Sequence, residues 1–69
     1  MTARWRLGRI GLELAIDGES AVTVAKNGRE WRAWGDVQYG NTSRSRVIAY
    51  VEGACRDAGI EVTNQAPEE

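Results

Sequence analysis

Few side chains in this sequence could do covalent chemistry. Ser20, Ser43 and Ser45 are hydroxyl nucleophiles by type, Cys55 is the one thiol, and Glu13 and Glu30 are carboxylates that a small sheet could bring together. A serine needs a base to take its proton, and the sequence holds no histidine. The same gap removes the commonest metal ligand and the side chain that titrates near neutral pH. Glu13 and Glu30 are expected to pair with Arg9 and Arg32 rather than to work as acid and base. Cys55 falls in the apolar stripe of a helix, where a thiol is buried and inert, and one cysteine cannot close an internal disulfide. The glycines form neither G-x-G-x-x-G nor G-x-x-x-x-G-K. The expectation is a non-enzymatic chain with no cofactor and no metal.

Arginine and tryptophan remain as the recognition chemistry. Eight of the nine basic residues are Arg, Lys26 being the exception, and the planar guanidinium suits contacts to carboxylate and phosphate. The formal charge is −1. Glu61, Glu68 and Glu69 account for it, because residues 1–60 carry nine positive and seven negative charges, a balance of +2. The folded part is mildly basic at most.

These side chains must be positioned by a small scaffold. Sixty-nine residues make one domain, near the lower limit for folding without disulfide, metal or partner. Such a chain buries only about 60% of its unfolded surface, which leaves no room for a deep lidded cavity. The stretch Arg46–Gly59 is the best-marked element. Val47, Ile48, Val51, Ala54, Cys55 and Ala58 follow the spacing of one apolar helix face. Gly59 and Ile60 supply a left-handed stop and its apolar contact, and Ser43 is the preferred N-cap.

That face needs a sheet. Residues 4–16 read as one strand with a bulge at Gly8 or Arg9, because Trp5 and Leu7 are odd-numbered while Ile10, Leu12, Leu14 and Ile16 are even. A three-residue loop, Asp17–Glu19, pairs Leu14 with Val22 and Leu12 with Val24. A two-residue Asn27-Gly28 loop pairs Val24 with Trp31 and Val22 with Ala33. One face then carries Leu12, Leu14, Val22, Val24, Trp31 and Ala33. The other carries Arg9, Glu13, Thr23, Ala25, Glu30, Arg32 and Trp34. The fold class is α+β, a three-stranded antiparallel meander with one C-terminal helix on one face. There is room for a short fourth strand over Glu61–Thr63. Residues 1–63 form this βββα(β) domain, residues 35–43 form a loop, and 64–69 form a disordered acidic tail.

Three places could carry recognition. On the outer sheet face, alternation forbids Trp31 and Trp34 from both facing the helix, so Trp34 is exposed beside Arg9, Arg32 and Thr23, the composition of a binding hot spot and of a base-stacking platform. At the helix start, Arg44 and Arg46 oppose the helix dipole, and Arg44 with Ser43 and Ser45 could contact an anion. Arg44 falls on the sheet side and Arg46 on the outer side. On the helix flank, Tyr50 lies beside the small residues Ala49 and Gly53.

A three-stranded meander followed by one helix resembles, in layout, the arm-binding domain of tyrosine-recombinase integrases and the plant ethylene-response-factor DNA-binding domain. That resemblance covers residues 9–58. It implies major-groove reading by the sheet through Arg32 and Trp34 of the third strand and Arg9 of the first. Those domains are clearly basic, whereas this chain has a pI near 5.4. The composition favours a module that binds another protein. In size and character it is similar to the small accessory proteins of phages and mobile elements, some of which inhibit host enzymes or defence complexes by direct contact. The expected partner is therefore another protein, bound through Arg9, Arg32, Trp34, Arg44, Arg46 and Tyr50. Nucleic acid is the alternative, and a homodimer is compatible with the modest core. A mean hydropathy of −0.47 and no long apolar run give a cytoplasmic chain with no membrane partner.

Overall fold

The computed structural model describes residues 1–67. Six strands and one helix follow one another as β1 (Thr2–Leu7), β2 (Leu12–Ile16), β3 (Glu19–Asn27), β4 (Glu30–Gly35), β5 (Tyr39–Asn41), α1 (Arg44–Asp57) and β6 (Glu61–Val62). They form one sheet in the order β5-β4-β3-β2-β1-β6. Every neighbouring pair is antiparallel except β1 with β6, which is parallel. The helix carries the chain across one face from the β5 edge to the β1 edge, touching β3, β4, β5 and β6. No helix among the described residues is long and apolar enough to cross a membrane.

The α+β class and the helix on one face hold. The three-stranded meander does not, because the sheet has twice as many strands and one parallel pair. Residues 4–16 are not one bulged strand but a hairpin. Gly8–Gly11 reverses the chain, closed by a 2.7 Å bond from the Gly8 N–H to the Gly11 carbonyl. β1 folds back on β2 with Trp5 opposite Leu14 and Leu7 opposite Leu12. A reversal exchanges odd and even positions on a face as a bulge does, so both accounts satisfy the same alternation.

The next two turns keep the predicted faces by other means. Leu12 pairs with Val24 and Leu14 with Val22, as the sequence predicts, yet the loop is the two-residue Asp17-Gly18. Both of its residues have positive φ, 53° and 86°, the signature of a type I′ hairpin. The register is restored by a bulge at Ala21, since Leu14 pairs with Val22 but Ala15 with Ser20. In the following hairpin the two-residue loop is Gly28-Arg29, not Asn27-Gly28. Gly28 alone has positive φ there, as a type II′ turn requires at its first central position. Val24 accordingly pairs with Ala33 and Val22 with Gly35. The shift from prediction is two residues, so every side chain keeps its face.

The core lies between the sheet and the helix. Trp5, Leu12, Leu14, Val22 and Val24 come from strands, Val47 and Val51 from the helix, and all are fully buried. Cys55 adds a third helical layer, whereas Ala58 lies past the helix end and is exposed. Ser43 caps the N-terminus, its hydroxyl accepting from the Arg46 N–H. At the other end the Ile60 N–H reaches the Cys55 carbonyl and the Gly59 N–H the Arg56 carbonyl, the paired bonds of a Schellman stop.

After β6 the chain runs along the β1 edge. The Asn64 side chain accepts from the Trp5 N–H at 2.7 Å and donates to the Trp5 carbonyl at 2.9 Å, substituting for one more residue of strand. Ala66 packs against the core and the Pro67 carbonyl meets the Arg44 guanidinium. The disordered tail expected over 64–69 thus begins with a segment that makes defined contacts through residue 67, and residues 68 and 69 lie outside the described residues.

Candidate functional site

The outer face of the sheet is the side away from the helix. Its side chains form rows set by register. Arg6 pairs with Glu13, Glu13 with Thr23 and Thr23 with Trp34, so one row crosses four strands. A second row joins Ala25, Arg32 and Gly40. The middle of this face is small, with Thr23 and Ala25 on β3, and Trp34, Arg32, Glu13 and Arg6 lie to either side. Trp34 is 41% exposed. Arg32 lies two positions before it on the same strand, with Nε 3.6 Å from Glu30 Oε2. Arg6 Nε is 3.1 Å from Glu13 Oε1. Each acid of this face therefore stands against an arginine, at geometry that leaves all four side chains partly in water.

Trp34 is held where a bulge and a glycine meet. The bulged Ala21 turns its carbonyl toward β4, where it accepts the Asp36 N–H at 3.0 Å. A Cβ on Gly35 would run into that same oxygen, and Gly35 has φ of 113°, a conformation open to glycine and strained for other residues. The backbone that follows Trp34 is thus fixed by the bulge and the glycine.

The six residues singled out from sequence fall in three separate places. Arg32 and Trp34 share the outer face. Arg9 does not join them; it sits in the Gly8–Gly11 reversal, and the arginines that flank the row are Arg4 and Arg6 of β1. The one-strand reading of 4–16 hid this, although Arg4 and Arg6 alternate with Ala3 and Trp5 and so mark the outer side of any strand there. The predicted Arg9–Glu13 pair is replaced by Arg6–Glu13. Glu52 of the helix accepts from the Trp5 indole N–H at 3.0 Å.

Arg44, Arg46 and Tyr50 lie on the helix side. Arg44 is folded inward: its guanidinium carbon is 5.7 Å from the Trp31 ring centroid, one amino group donates to the Pro67 carbonyl, and its Nε is buried with no partner among the described residues. Stacking on an indole face offsets part of the cost of that burial. Arg46 projects into solvent, and Ser43 and Ser45 share a hydroxyl contact of 3.0 Å. Tyr50 is 49% exposed and stacks on Tyr39 at 4.1 Å with the rings 5° from parallel. Tyr39 belongs to β5, which sequence reading had assigned to a loop. This stacked pair is a contact that alternation in the sequence does not reveal.

No three potential metal ligands cluster among the described residues. Burial, and after it the nearby Glu52 carboxylate, push the Cys55 thiol above its usual range, so it stays protonated. No protein-family model, curated protein or solved structure matches the chain.

Proposed function

We propose that this chain is a non-enzymatic module that binds another protein through the outer sheet face, with Trp34 as anchor, Arg32 beside it, and Arg4 and Arg6 on the far strand of the same face. The observation that carries this reading is an indole left 41% exposed at the end of an in-register row, on a bed of small side chains and beside an arginine. Trp and Arg are the residue types that dominate protein-protein hot spots, and flat, small-centred surroundings let a partner close around them. A module of this kind acts by occupancy. Inhibition of a partner enzyme or complex by covering its surface, as small phage-type accessory proteins do, is the activity we assign to it.

Charge favours protein over nucleic acid as the partner. Glu13 and Glu30 lie on the same face as the arginines, so a phosphate backbone laid there would meet carboxylates at both rows. The layout argument for DNA also loses its basis, because the sheet has six strands rather than three.

The test is a capture experiment followed by reconstitution with the protein identified. Trp34→Ala should weaken binding to that protein by about 30-fold and Arg32→Ala by less, with unchanged circular dichroism. Undiminished affinity in Trp34→Ala would move the site off this face. Duplex binding that falls steeply with salt and is abolished by the same substitutions would establish the DNA reading instead.

A further inference from the structure

The two ends of the strands differ in charge. At one end lie the Gly8–Gly11 reversal and the Gly28-Arg29 turn. There Leu7 is 63% and Ile10 72% exposed, aliphatic side chains that the helix does not reach. Arg9, Lys26 and Arg29 lie at the same end and take part in no ion pair among the described residues. At the opposite end are Asp17, Glu19, Asp36, Asp57 and Glu61, in the turns and at the helix C-terminus. The two acids nearest the aliphatic tip, Glu13 and Glu30, each stand against an arginine, Arg6 and Arg32.

We infer that the Leu7–Ile10 tip docks on an anionic lipid surface, with the two aliphatic side chains entering the headgroup boundary and Arg9, Lys26 and Arg29 meeting the phosphates. This goes beyond the outer-face reading and uses none of its residues. Aliphatic side chains projecting from a turn with cations behind them match the layered order of an interface, apolar inward and charge at headgroup level. The acidic far end is repelled by the same surface and sets the orientation. Nucleic acid fits less well, because Leu7 and Ile10 offer no ring for bases to stack on. A second copy also fits less well. A contact limited to the two turns covers less than the about 800 Å² per partner of a stable complex. Surface docking needs no spanning helix, so the lack of a long apolar run bears only on insertion across a bilayer.

The test is sedimentation of the full chain with vesicles of phosphatidylcholine alone and with about 30% phosphatidylserine. Binding to the anionic vesicles only, lost at about 0.5 M salt, is the expected result. Leu7→Ser and Ile10→Ser should each lower it about tenfold, and Arg9→Gln or Arg29→Gln about fivefold. All four positions are exposed, so the fold should persist, with circular dichroism as the check. Trp34→Ala, on the outer face, should bind vesicles as the parent does. No binding to anionic vesicles at low salt, equal binding to both vesicle types, or indifference to Leu7→Ser and Ile10→Ser would overturn the inference. So would a mixed-sequence duplex, or self-association at the working concentration, that consumes the tip in preference to lipid.

Discussion

Trp5 and Trp34 are the same residue on the two faces of one sheet, and their surroundings could hardly differ more. Trp5 is 1% exposed, its indole N–H is taken by Glu52, and its backbone is bound on the open side by Asn64. Trp34 is 41% exposed and is followed by the constrained backbone of Gly35. The inner indole is secured by polar partners as much as by apolar contact, since a buried N–H without an acceptor costs about 1–3 kcal/mol. The outer indole has been left with an apolar surface that water must cover. In so small a domain, that surface is available for recognition because the core does not use it.

The largest effect should come from the inner side. Trp5→Ala removes the largest core side chain and should cost about 3–5 kcal/mol, enough to unfold a domain of this size, as thermal denaturation would report. Asn64→Ala should cost about 2 kcal/mol by releasing two bonds to the Trp5 backbone, and should raise aggregation by baring the β1 edge. Retention of parent stability would mean that the Asn64 cap is dispensable. Cys55 gives a pH signature of the same face. Its pKa is raised in the folded state, so its contribution to stability is full below the unfolded thiol range and is lost as pH rises toward the folded value. Urea midpoints should fall on the alkaline side, and Cys55→Ala should flatten that slope. A thiol reagent should label the native chain slowly and the denatured chain fast. Smallest is Trp34→Ala, within about 0.5 kcal/mol of the parent. A loss near that of Trp5→Ala would show that the two indoles share a structural role and would remove the case for the outer face.

Much of this contrast was legible from alternation. Trp31 and Trp34 three apart could not share a face, and the pairs Leu12 with Val24 and Leu14 with Val22 follow from hydrophobic matching. The hairpin between β1 and β2 was not legible, because a bulge and a reversal leave the same odd-to-even switch, and only the paired glycines Gly8 and Gly11 hint at a turn. The two-residue slip at Gly28-Arg29 escaped for a related reason: Asn-Gly is a stronger turn signal than Gly-Arg, and both registers bury the same side chains. β5 has three residues and one half-buried tyrosine, too little pattern to see. The Tyr39–Tyr50 stack depended on that strand, and the place of Arg9 depended on the β1–β2 turn. Asn64 was unreadable as a cap, because a side chain standing in for strand backbone has no periodicity.

The bond between Trp5 and Asn64 spans 59 positions of sequence, and that separation has a consequence in time. β1 is synthesised first, yet its outer edge stays open until residues 61–64 have been made. An isolated β1–β2 hairpin is marginal in water, so the early chain carries a tryptophan-bearing strand with no partner on one side. Closure must then bring together points nearly a whole chain apart, a slow step for a domain of this length. The emerging β1 strand is therefore open to capture by another strand until the segment that protects it appears.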